Sequence, residues 1–142
     1  MATKIDANRV SIDAGKPPLI IDTAQYDLLA GLAIGAEKRA PELARQLLEE
    51  VERAELRPTA DVPADVVKLG AAVTFADGAT GRTQTVRLTF PAQADVSAGR
   101  ISVLSPIGAA LIGLSVGQSI RWRMEDGSTR ELTVLAVDQR PG

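Results

Sequence analysis

Apolar positions follow one period near the start of the chain and another after residue 66. Between residues 19 and 57 they recur every three or four residues, the spacing of helices with a single buried stripe. Asp22 is placed to cap the first helix, with Gln25 completing a capping box and Ile21 and Tyr26 forming a hydrophobic staple. Leu28, Leu29, Leu32 and Ala33 make its apolar face, Gly31 weakens it, and Gly35 marks its end. Pro41 suits the first turn of a second helix, and Glu42 suits the positive end of its dipole. Leu43, Leu47, Leu48, Val51 and Ala54 form one stripe. Arg45, Glu49, Glu50, Glu52 and Arg53 fall away from it, with Glu49 and Arg53 at ion-pairing distance along the helix. Neither helix is long enough to stand alone in water. Residues 19–57 therefore read as a short antiparallel helical hairpin, with residues 1–18 as a flexible leader.

Residues 58–65 break the helical pattern and read as a linker. Beyond them the period is two, the spacing of strands with one buried face. Residues 72–75 form a strand ending in an Asp77-Gly78 turn, and residues 84–90 form the next, with Val86, Leu88 and Phe90 on one face and Arg87 on the other. Residues 101–104 are a short strand. Residues 106–112 read as a small apolar helix with Ser105 as cap, Pro106 in its first turn and Gly113 at its end. Ile120, Trp122 and Met124 point inward and Arg121 and Arg123 outward, and an Asp126-Gly127 turn leads to a last strand over residues 130–137. The fold class is α+β: a helical hairpin, then an antiparallel sheet domain with one short helix over residues 66–142.

Composition narrows the chemistry. The chain holds no Cys and no His, which removes thiolate metal sites, cysteine nucleophiles and the commonest general base. Any chemistry that remains would fall to carboxylates, hydroxyls, Lys, Arg or a metal held by carboxylate oxygens. A net charge of −2 and the scarcity of aromatic residues (Tyr26, Phe75, Phe90 and Trp122) argue against backbone-directed or base-stacking nucleic-acid binding. Nothing in residues 1–18 resembles a signal peptide or a membrane span, so a cytoplasmic protein is expected.

One stretch is more specific than the pattern around it. Ser105-Pro106-Ile107-Gly108, then Ala110-Leu111, Gly113 and Val116-Gly117, behind a helical hairpin, resembles the Gre-like family of bacterial RNA-polymerase-binding proteins. The resemblance implies an FKBP-like sheet domain that grips the rim of the polymerase secondary channel. It makes Ser105, Pro106, Ile107 and Gly108 candidate contacts, together with Gln118, where the family pattern is usually acidic. Full Gre factors carry a long coiled coil whose acidic tip reaches the catalytic metal. The second helix here runs about 15 residues, roughly 22 Å, and the turn before it, IGAEKRA, carries Glu37 beside Lys38 and Arg39. The short hairpin resembles the branch of the family known as regulators of nucleoside diphosphate kinase.

The resemblance therefore implies a non-catalytic protein, with no metal or cofactor, that occupies the polymerase secondary-channel rim and competes with Gre-type factors. A monomer is expected because the two helices can satisfy each other, and the composition gives no reason to expect a membrane partner. Two other readings stand beside it. One is control of nucleoside diphosphate kinase, directly or through transcription, and the other a prolyl isomerase, which would need an aromatic-lined pocket that so few aromatics can hardly build. Arg87, Arg121 and Arg123 read either as a solvated sheet face or as a basic patch for an acidic partner.

Overall fold

Asp22 starts the first helix as its residue type requires: its backbone is extended and its carboxylate accepts the Ala24 N–H at 2.8 Å. The computed structural model describes residues 16–124 and 126–141, so the expected leader lies, up to residue 15, outside the described residues. A short strand β1 (Ile20–Asp22) feeds helix α1 (Thr23–Gly35), which turns through residues 36–40 into helix α2 (Pro41–Arg53). The chain then forms β2 (Glu55–Arg57), which pairs parallel with β1 and closes the base of the hairpin. Among the described residues no helix is long and apolar enough to cross a membrane.

The sheet domain contains β3 (Ala72–Asp77), β4 (Thr83–Thr89), β5 (Arg100–Ser102), helix α3 (Pro106–Leu111), β6 (Ser119–Arg123) and β7 (Thr129–Asp138). The five strands lie in the order β5-β4-β3-β7-β6. All neighbours are antiparallel except β4 and β5, which run parallel with Leu88 opposite Ile101. That pair departs from the expected all-antiparallel sheet. Pro91 has no N–H to continue β4, so residues 90–99 loop back through two short 3₁₀ turns and β5 runs in the same direction as β4.

One core serves both halves. Leu29, Ala33, Leu47 and Val51 of the hairpin pack in the same cluster as Phe75, Leu88, Leu111, Ile120, Trp122 and Leu132. Hairpin and sheet are thus layers of one body, and α2 lies against α3. Burial corrects several expectations. Glu50 is fully buried beside the apolar stripe and paired with Arg53, while Arg45 takes Glu49 at 3.0 Å, displacing the expected Glu49–Arg53 pair. Leu28 and Phe90 are exposed, because α1 turns only one edge inward and Phe90 lies beyond the end of β4.

The stretch read as a linker is tied down. Beyond β2, the Thr59 hydroxyl donates to Asp22 at 2.7 Å and the Val67 N–H to the Leu114 carbonyl at 2.8 Å. Gln25 makes no capping box. Its side-chain amide faces the Leu69 backbone, accepting the N–H at 3.1 Å and donating to the carbonyl at 3.3 Å. A side chain on α1 thereby imitates a strand partner and joins the hairpin to the sheet domain.

Candidate functional site

The segment Ser105-Pro106-Ile107-Gly108 sits where the chain leaves β5 and enters α3. Ser105 has extended backbone, its Oγ accepts the Gly108 N–H at 3.0 Å, and its hydroxyl donates to the Ser102 carbonyl at 2.7 Å. One hydroxyl thus caps the helix and fastens it to the strand before it. Pro106 needs no hydrogen-bond acceptor in the first turn, where the N–H would be unpaired in any case. Ser105, Pro106 and Ile107 are half-buried and reach the surface, whereas Ala109, Ala110 and Leu111 fill the core.

Gly108 is buried. A Cβ there would lie 2.1 Å from the Ser102 carbonyl oxygen and 3.0 Å from Leu88 Cδ1. The glycine lets α3 pack directly on the β5 backbone. Gly113 does the same at the other end: its φ is +84°, and its carbonyl accepts the Ile20 N–H at 3.1 Å. Gln118, half-buried, folds its side-chain carbonyl onto the Ser115 N–H at 2.9 Å and so closes the turn before β6.

At the hairpin turn Glu37, Lys38 and Arg39 are all exposed. The structure brings this turn to the other candidate segment. A cleft of 460 Å³ is walled by Arg39, Pro41, Leu43 and Gln46 on the hairpin side, and by Pro106, Arg123, Met124 and Gly127 on the sheet side. Glu42 also borders it, but its carboxylate is bound by Arg45. Sequence spacing offered no signal for this meeting of residues sixty or more positions apart. Among the described residues no cluster of three or more acidic groups could hold a metal ion.

A larger groove of 1080 Å³ lies along β4 and α1, with Leu28 and Phe90 at its surface and Lys68, Arg87 and Arg100 around it. Those cations are engaged within the fold. Lys68 pairs with Asp22 at 2.9 Å, Arg100 lies 3.7 Å from Asp95, and Arg87 donates to the carbonyls of Gly70 and Arg140 at 2.6 and 3.0 Å. Arg87 thus ties β4 to the backbone at Gly70, ahead of β3, and at Arg140, beyond β7; Arg121 and Arg123 are exposed on the edge strand β6.

The joint between the two layers centres on Asp22, which is 2 % exposed. Burial by itself would raise its pKa, but Lys68, the Thr59 hydroxyl and the Ala24 N–H outweigh that and hold it below the usual carboxylate value. The carboxylate stays charged because each oxygen has donors.

Residues 62–139 match the family described as transcription elongation factor GreA/GreB, C-terminal. A relative from Escherichia coli K12, described as a regulator of nucleoside diphosphate kinase, is 32% identical over 130 residues, covering 92% of this chain and 87% of its own. A transcription elongation factor GreA from Rhodospirillum rubrum is 39% identical over 84 residues, covering 59% of this chain and 54% of its own. Among solved structures, a prokaryotic transcription elongation factor GreA/GreB from Nitrosomonas europaea superposes with a TM-score of 0.67 at 27% identity, covering 84% of this chain and 98% of its own.

Proposed function

The chain belongs to the GreA/GreB family of transcription elongation factors, and from that membership we propose that it is a non-catalytic regulator of transcription that binds bacterial RNA polymerase at the secondary-channel rim. In this reading the FKBP-like sheet domain supplies the affinity through Ser105, Pro106 and Ile107, with Gln118 and Gly108 shaping the surface behind them. The hairpin, a short coiled coil, sits at the channel mouth. Its competitors there are Gre-type factors, and its effect is occupancy.

The observation that carries the reading is the hairpin. Each helix has 13 residues, about 20 Å of rise, and the hairpin shares one apolar core with the sheet domain, with α2 lying against α3. The turn carries Glu37 between solvent and two cations, Lys38 and Arg39, an arrangement that repels a divalent cation as much as it attracts one. A hairpin of this kind delivers no acidic tip to a buried metal. An aromatic-lined isomerase pocket finds little support either: Phe75 and Trp122 are core residues, and Phe90 is the one aromatic among the residues lining the larger groove.

A binding assay with purified polymerase tests the reading. Labelled protein binds core polymerase and is displaced by excess GreA; absence of binding, or binding that GreA leaves undisturbed, contradicts it. A second reading, control of nucleoside diphosphate kinase, is favoured by the description of the Escherichia coli relative. Capture of purified kinase by this protein, without polymerase present, would support a direct route. A changed kinase transcript in a deletion strain, without capture, would support a transcriptional one.

A further inference from the structure

Short hairpins bring their turns close to the domain that carries them, and here the turn closes a cleft with α3 and the β6–β7 turn. The floor of this cleft is aliphatic, formed by Leu43, Pro106 and Met124. Its rims carry Arg39 on the hairpin and Arg123 on the edge strand β6, and both residues are exposed. Among the described residues that line it, the carboxylate is Glu42, and it is paired with Arg45; Arg39 and Arg123 are the cations of that lining, beside the aliphatic side chains. In the larger groove beside β4 the cations are bound to groups of the fold itself. Pro106 belongs at once to the cleft and to the segment that the polymerase reading uses.

We propose that this cleft is part of the docking surface and seats an acidic side chain of the polymerase flanked by aliphatic ones. The inference rests on the polymerase-binding reading above and adds a role for the hairpin. It acts as one wall of the docking surface, where a long coiled coil would act as a probe. A carboxylate entering between Arg39 and Arg123 leaves water for two guanidinium groups, while its neighbours cover Leu43 and Met124. Register on the polymerase is then set by the distance between the two layers, which the Asp22 and Gln25 joint fixes.

The test measures affinity for core RNA polymerase, and its salt dependence, for the wild type and for Arg39→Glu, Arg123→Glu and the double variant. Arg39→Lys with Arg123→Lys retains the charge, and Ile107→Glu perturbs the neighbouring contact segment. Unchanged melting temperatures verify folding of the arginine variants, whose side chains are exposed. The double reversal is expected to weaken binding roughly tenfold or more and to flatten the salt dependence, with the lysine pair near wild type. If the wild type binds and Ile107→Glu weakens binding while the double reversal binds as the wild type does, the cleft plays no part and the polymerase reading stands. If the wild type fails to bind polymerase at all, the parent reading falls and this inference falls with it.

Discussion

Gly108 and Trp122 show how single residues divide between the legible and the hidden. At Gly108 a methyl group would overlap the Ser102 carbonyl oxygen at 2.1 Å, a backbone atom that cannot swing aside. Gly108→Ala should therefore destabilise the fold by about 2–3 kcal/mol in spite of the better helix propensity of alanine, lowering the midpoint of thermal unfolding. A midpoint equal to wild type would show that α3 can lift from β5 without cost. Trp122 is 4 % exposed, and among the described residues its indole N–H has no hydrogen-bond partner. Trp122→Phe should stay within about 1 kcal/mol of wild type, because the lost packing is offset by removal of a buried unpaired donor; Trp122→Ala should cost about 3–5 kcal/mol. Denaturant unfolding of both variants checks this, and a loss above about 2 kcal/mol for Trp122→Phe would mean that the N–H is satisfied after all. The burial of Trp122 was legible, since alternation with Ile120 and Met124 put it inward. That of Glu50 was not, although it lies three residues after Leu47 and one before Val51. Its angular position was on the stripe, and its residue type concealed it. Among the described residues it is Arg53, which pairs with its carboxylate and also donates to the Pro17 carbonyl at 2.7 Å, that makes the burial tolerable.

At the scale of elements, caps and periods disclosed the hairpin, the short α3 and most strands to within a residue or two. Pro41, Pro106 and Gly35 mark ends that follow from local chemistry. The joint between the layers was hidden, because its bonds join residues remote in sequence. Gln25 reaches Leu69, and Asp22 reaches Thr59 and Lys68. Helix capping was a correct account of Asp22 but an incomplete one. The lowered pKa of Asp22 carries a pH signature. A carboxyl held below its unfolded value stabilises the fold above that value, and the stabilisation is lost as pH falls through the folded-state pKa. Wild-type stability should accordingly decline on acidification below about pH 4, and Asp22→Asn should decline less steeply there while being less stable at neutral pH. Chemical unfolding at pH 7 and at pH 3 checks both statements. Parallel curves for the two proteins would mean that Asp22 keeps an ordinary pKa. The parallel pairing of β4 with β5 was likewise out of reach, since alternation reports which face is buried and says nothing of strand direction.

At the scale of the whole molecule, the sequence pointed to the segment around Ser105 and to the hairpin turn as separate features. Folding makes them neighbours across one cleft, because α2 lies on α3 and both helices share the core of the sheet. That packing depends on which faces of three elements are apolar at once, and a one-dimensional pattern does not report it. It also decides the functional account. On the proposed reading, a hairpin of 13-residue helices that shares the core of its own domain would block a channel mouth without traversing the channel. Transcript cleavage in arrested elongation complexes tests this most directly. Polymerase is held with enough GreA to stimulate cleavage of backtracked RNA, and this protein is titrated in, alone and in competition. The account predicts no cleavage stimulated by the protein alone and a dose-dependent loss of the cleavage that GreA stimulates. Cleavage above the polymerase background with this protein alone would contradict it, and so would undiminished GreA activity at concentrations where this protein saturates the polymerase.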